Sequence, residues 1–168
     1  MNINIICVGK LKEKYLRDAS AEYEKRLSRY CRVQIRELKE ARLAENASPA
    51  EEEAVKTEEG KSILKALSSS SFVIVLDIGG KELSSDQLAE KIGSLATTGE
   101  STVDFIIGGS LGLSEEVKKR ADFRLSFSPM TFPHQLMRVI LLEQIYRGKC
   151  VSKQYSKEML NLLLHQTV

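Results

Sequence analysis

Cysteine and histidine are scarce in this chain, and neither is clustered. Cys7, Cys31 and Cys150 are scattered, and no Cys-x-x-Cys pair occurs. That spacing suggests neither a zinc site nor a disulfide framework. The two histidines, His134 and His165, lie far apart. A metal enzyme needs more ligands at closer spacing, so no metal is expected. Long apolar runs are also missing. The longest are strand-length, as in "FVIVL", far short of the roughly 20 residues that cross a bilayer. The N-terminus "MNINIICVGK" has no basic region before its apolar residues and no small-residue cleavage site. It reads as a first strand and not as a leader, so a cytoplasmic protein away from the membrane is expected. A large charge of one sign is lacking too. The net charge is +2, which alone gives no argument for nucleic acid.

What is present is an ordinary globular composition: 42% hydrophobic and 29% charged over 168 residues. That length suits one domain with a proper core. The charge is unevenly spread. Lys10, Lys12, Lys14, Arg17, Lys25, Arg26, Arg29 and Arg32 crowd one stretch against four acids, while "EEEAVKTEEG" is acidic. A basic first helix would suit a polyanion. A solvated helix face with pairs such as Glu22–Arg26 accounts for the same residues.

The apolar pattern alternates strands with helices. "INIICV" (Ile3–Val8) is apolar enough for a strand buried on both faces. Helical spacing follows from Leu11 to Arg29, with Tyr15, Tyr23 and Tyr30 read as packing residues. "RVQIREL" is a second strand. Ser48-Pro49-Ala50-Glu51 is a capping box with proline at the first helical position, and that helix runs toward Leu67. "FVIVLD" is a buried strand, "IGGK" a turn, and Ser84 with Gln87 caps a helix to about Ala96. "TVDFIIGG" is a strand, Ser114 caps a short helix, "FRLSFS" is a last strand, and Pro133 opens the helix "PHQLMRVILLEQIYR". This order predicts an α/β fold with a mostly parallel sheet and helices on both faces.

The stretch "DFIIGGSLGLSEEV" poses the functional question. Set against G-x-G-x-x-G on Gly109 and Gly112, it has Ile107 where the first glycine belongs. Glu115 and Glu116 sit at the following helix start, where carboxylates would repel a pyrophosphate. No G-x-x-x-x-G-K-[ST] occurs either. The glycines serve either a tight turn or close approach of backbone to an uncharged ligand. Two further loops follow predicted strands: Leu76 to Lys81, and "SFSPMTFPHQ" from Ser126 to Gln135. In an open parallel sheet the carboxyl ends of the strands form the ligand crevice. Loops of small and polar residues there suit adenine and ribose better than a triphosphate.

"INIICVGKLKEKYL", "LD..GK", "FIIGGSLGLSEEV" and "LSFSPMTFPHQLMRVILLEQIYR" together resemble the bacterial ribosomal RNA large-subunit methyltransferase H family, of the SPOUT class. The resemblance runs in consistent order from Met1 to about Arg147. It implies a SPOUT-type α/β knot, with a deep C-terminal trefoil knot that breaks the usual rule against threading. It implies S-adenosylmethionine as cofactor, held by Leu76, Gly108, Phe127, Ser128, Pro129, Met130, Thr131 and Phe132. It implies a homodimer with the last helix at the interface. The substrate implied is N3 of a pseudouridine in 23S ribosomal RNA of the assembled ribosome. N3 must lose a proton to attack, and a guanidinium would stabilise the developing anion. Arg147, at the "YR" of the family pattern, or Arg138 would supply it. Phosphate positioning is the alternative role for Arg147. His134 would shuttle the proton or, after Pro133, serve only in packing.

After Arg147 the resemblance stops. The family typically continues "RA…RGEPYHK", whereas this chain reads "GKCVSKQYSKEMLNLLLHQTV". The expected organisation is one domain over residues 1–147 and an atypical tail over 148–168. The alternative function is a ribosome- or RNA-binding homologue, catalytically impaired because the Tyr-His-Lys ending is absent.

Overall fold

The computed structural model describes the backbone of residues 1–165 and the side chains of residues 1–149. Five strands and five helices alternate: β1 (Asn2–Val8), α1 (Lys14–Leu27), β2 (Arg32–Leu38), α2 (Pro49–Ala66), β3 (Phe72–Glu82), α3 (Ser85–Thr97), β4 (Thr102–Ile107), α4 (Glu115–Arg120), β5 (Phe123–Ser126) and α5 (His134–His165). The sheet order is β2-β1-β4-β3-β5, and every pairing is parallel. Strands β1 and β4 are central and buried along nearly their whole length. This is why they read as continuous apolar runs rather than alternating ones.

Alternate residues of the same strands feed two cores. Ile3, Ile5, Ile74, Val103 and Phe105 join Leu88, Ile92, Leu141, Leu142 and Ile145 on the face covered by α3 and α5. Val8, Val73, Val75 and Ile106 join Ile63 and Val117 on the face covered by α2 and α4. The period of two along each strand makes this division.

The helix starts follow their caps. Ser48 with Glu51 and Ser84 with Gln87 form complete capping boxes, and Ser114 Oγ accepts from Val117 N. Each such cap stabilises its helix by roughly 1 kcal/mol.

Three boundaries differ from the sequence reading. First, "IGGK" does not end β3. The strand shifts register between Leu76 and Lys81 and then pairs again with β5 at Leu125 and Ser126. Gly80 permits this, because a Cβ there would lie 2.7 Å from the backbone C and O of Arg124. Arg124 in turn holds Asp77 through two hydrogen bonds to Oδ2, at 2.8 and 2.5 Å. Second, α1 starts only at Lys14, leaving Gly9–Glu13 as a loop. Third, α5 does not stop at Arg147 but runs on to His165. No proline interrupts that stretch. Gly148 lets α5 press on α3, since a Cβ there would lie 3.1 Å from Ala89 Cα. Residues 166–168 of the tail lie outside the described residues.

Candidate active site

All strands being parallel, their carboxyl ends share one edge of the sheet. A cleft of about 800 Å³ lies there, within the range usual for small-ligand sites. The register-shifted stretch of β3 and the loops after β4 and β5 build it.

The glycine turn after β4 is closed on itself. Gly112 has φ +83° and donates from N to Gly109 O at 3.1 Å. A Cβ on Gly108 would lie 2.9 Å from Gly112 O. Any side chain at Gly108 must therefore deform the turn.

The turn is also backed by α2. A Cβ on Gly109 would lie 2.9 Å from Glu59 Oε2, and a Cβ on Gly60 would overlap Ser114 Oγ. Two adjacent α2 residues thus press on the two ends of the turn. Glu59 is buried, accepts from Ala41 N at 3.0 Å, and is pushed up from the ordinary carboxylate range, first by burial. The acidic neighbours Glu40 and Glu58 add to that rise. Sequence reasoning missed the pair. A glycine inside a helix was the available signal, since it costs roughly 1 kcal/mol relative to alanine unless packing requires it.

The cleft floor is apolar, formed by Leu76, Ile107, Leu125, Phe127 and Met137. Ser110, Ser128 and Thr131 add hydroxyls. The β5–α5 loop holds its own shape: Ser128 Oγ accepts from Met130 N at 3.0 Å, and Ser126 Oγ donates to Ser128 O at 3.2 Å. Charged pairs mark the rim, Glu53–Lys56 on α2 and Glu115–Lys118 on α4. Of these four, sequence reading singled out only Glu115, as a helix-start carboxylate set against a pyrophosphate.

Of the residues expected at a cofactor, the structure brings Leu76, Gly108, Phe127, Ser128, Met130, Thr131 and Phe132 together in the cleft lining. Pro129 belongs to the same loop but not to the lining. His134 lines the cleft at the first position of α5. Its Nε2 and Glu40 Oε2 each lie 3.6 Å from where a Cβ on Gly9 would stand.

The two candidate arginines lie elsewhere. Arg138, one turn beyond His134, is 2% exposed. Its Nη1 donates to Glu37 Oε1 at 2.5 Å and its Nη2 to Gly9 O at 3.1 Å, while Nε has no partner. Burial alone would raise the Glu37 carboxyl, but hydrogen bonds from Arg138 and Leu11 N outweigh it and hold it below the ordinary range. Beside this pair, burial pushes the Cys7 thiol up to about 11 despite the Arg138 charge. Arg147 is further along α5, roughly 20 Å from His134 at ~1.5 Å per residue. Its side chain is 57% exposed and pairs with Glu143 at 2.6 Å.

Tyr23 packs tilted and Tyr30 edgewise on Tyr146, as expected of packing residues. Tyr15 does not pack. It is 68% exposed, because α1 turns that position away from the sheet at its first turn.

An all-parallel sheet with a glycine-walled, apolar-floored cleft at the strand carboxyl ends defines an α/β protein built to hold a small ligand there. Comparison with known proteins narrows the class. A family model described as predicted SPOUT methyltransferase matches residues 1–156. The chain is 59% identical over 153 residues to the ribosomal RNA large subunit methyltransferase H of Alkaliphilus oremlandii, covering 91% of this chain and 96% of that one. It is 58% identical over 148 residues to the protein of the same name from Clostridioides difficile, covering 88% and 93%. In fold it is similar to the solved structure of a probable methylase family protein from Haemophilus influenzae, with a TM-score of 0.53 at 12% identity, over 90% of this chain and 68% of that one. The chain belongs to the SPOUT methyltransferase family.

Proposed function

We propose that this protein transfers the methyl group of S-adenosylmethionine to N3 of a pseudouridine in 23S ribosomal RNA of the assembled ribosome. We read it as a cytoplasmic homodimer. The name shared by relatives at 52–59% identity supports the substrate class. The single observation that carries the reading is the cleft, whose lining takes in every expected cofactor residue except Pro129.

The residues fit the cofactor. The closed turn at Gly108 and Gly109 presents bare backbone to a flat adenine edge, and no Cβ fits there without deforming it. When bound, S-adenosylmethionine supplies an already activated methyl, so alignment is the protein's main task. Leu76, Ile107, Leu125 and Met137 exclude water from the floor. Ser128 and Thr131 offer hydroxyls toward the ribose or the amino-acid end. His134, in the cleft lining, takes the N3 proton. Arg138 acts as a tie, since Glu37 and Gly9 O already engage its guanidinium. Arg147 serves the anion only across a dimer, given its distance along α5 in its own chain. The C-terminal trefoil knot that the resemblance implies is part of the same reading.

A second reading rests on residues 148–168, which we treat as an atypical tail on a domain of residues 1–147. There the protein binds cofactor and ribosome but turns over poorly. Calorimetry with S-adenosylmethionine, then methyl transfer to ribosomes carrying the pseudouridine, separates the two. No cofactor binding sinks the first reading. Binding without turnover, restored by grafting the family ending after Arg147, favours the second.

A further inference from the structure

The stretch Lys10–Arg17, "KLKEKYLR", holds four basic residues against one acid. Its first half is the β1–α1 loop, and the loop backbone is pinned. Leu11 N donates to Glu37 Oε1 at 3.2 Å, and Lys12 N donates to Gln135 Oε1 at 3.1 Å. Arg17 Nη1 donates to Leu11 O at 3.1 Å and to Lys12 O at 2.5 Å. Glu37 is itself held by the buried Arg138, which also donates to Gly9 O. Arg138 and Arg17 are thus tied up in fixing this loop.

The pinning sets the loop beside the cleft. Gly9, with φ +83°, begins it against His134 Nε2, and Gln135 is the residue next to that cleft-lining histidine. Lys10, Lys12, Lys14 and Tyr15 all remain exposed. Lys14 pairs with Asp18 on the surface. Among the described residues, Lys10 and Lys12 form no salt bridge. Two ammonium groups without a salt bridge therefore stand on a pinned loop beside the cleft-lining His134, with an exposed phenol ring in the first turn of α1 that follows. Cations on ordered backbone contact phosphates with little loss of freedom, and an exposed aromatic ring offers a face for a base.

We infer that the β1–α1 loop is the RNA contact at the cleft mouth. Lys10 and Lys12 take backbone phosphates flanking the target nucleotide, and Tyr15 stacks on an unpaired base. This rests on the reading above that the substrate is ribosomal RNA.

The test uses the double variant Lys10→Glu/Lys12→Glu, the double variant Lys10→Arg/Lys12→Arg, and Tyr15→Ala. Binding to large-subunit particles and to naked 23S RNA is measured across a salt series. S-adenosylmethionine affinity is measured alongside by calorimetry, and methyl transfer is followed where it occurs. The glutamate variant is expected to bind both RNA samples about tenfold or more weakly, with the salt slope reduced by about 2. Cofactor affinity stays unchanged, and the arginine variant restores RNA binding. Tyr15→Ala weakens binding with little change of slope. These results support the loop even if the wild type transfers no methyl group, an outcome that would count against the catalytic reading alone. Equal RNA binding and slope in the glutamate variant would overturn the inference. So would a wild type that binds no RNA. Weakened binding to particles with undiminished binding to naked RNA would also overturn it, by assigning the loop to a ribosomal protein.

Discussion

The two ends of the parallel sheet are built from the same strands yet solve opposite problems. At the amino end, polar and charged groups satisfy one another. Asp104, fully buried, accepts from Asn4 Nδ2 at 2.6 Å, Ser71 Oγ at 2.7 Å and Ser68 N at 2.9 Å. Lys91 lies over the rings of Phe123 and Phe72, 4.0 and 5.4 Å from their centroids. At the carboxyl end, groups are left over. Arg138 Nε has no partner, Ile78 and Met130 are exposed at 57% and 70%, and bare glycine backbone faces a cleft. A buried end closed by side-chain hydrogen bonds serves stability. An end that leaves backbone and apolar surface unused serves a ligand.

This contrast is broken most severely at Asp104. Asp104→Ala removes the acceptor shared by Asn4 Nδ2, Ser71 Oγ and Ser68 N, leaving the first two only their longer contacts to Ser68, and an unsatisfied buried donor costs roughly 1–3 kcal/mol. A loss of about 3 kcal/mol or more in urea unfolding is expected, with cofactor affinity of the folded protein unchanged because the cleft is at the other end. Next is Gly60→Ala, whose Cβ overlaps Ser114 Oγ behind the glycine turn. A cost of ~1–3 kcal/mol is expected from the overlap. Here the cofactor affinity measured by calorimetry falls with stability, since the turn itself is displaced.

A smaller effect belongs to Glu37. Its carboxyl is held below the ordinary range in the fold by Arg138 and Leu11 N. The stability it contributes is therefore present above the unfolded value near 4.3 and lost as pH falls through the folded value. Glu37→Gln should cost about 1.5 kcal/mol at neutral pH. The gap between variant and wild type in unfolding midpoint should shrink as pH drops below about 4. The smallest effect is Lys91→Met, which keeps the apolar stem but removes the charge over two rings. Roughly 0.5–1 kcal/mol is expected, with no change in cofactor binding.

The closed end and the open end were unequally legible in the sequence. Strands β1 and β4, and the caps at Ser48, Ser84 and Ser114, are written in signals that span a few residues, and they appear where those signals stand. The cleft loops were legible because they follow strands in an alternating order. What escaped depends on contacts between distant residues. "IGGK" stays in a strand because Gly80 passes the backbone of Arg124. Glu59 and Gly60 matter because α2 lies behind a turn some fifty residues later in the chain. Tyr15 followed the helical stripe on paper, but the helix begins only at Lys14 and leaves it in solvent. The roles weighed for Arg138 took no account of Glu37 and Gly9, which only the folded sheet brings to it.

The central claim is that the carboxyl-end cleft, walled by the glycine turn, holds the methyl donor. Calorimetric titration of S-adenosylmethionine into wild type and Gly108→Ala tests it most directly, with circular dichroism showing that the variant is folded. The account predicts saturable binding by the wild type and at least a tenfold loss in the variant, about 1.4 kcal/mol or more. Equal affinity in the two proteins would contradict it.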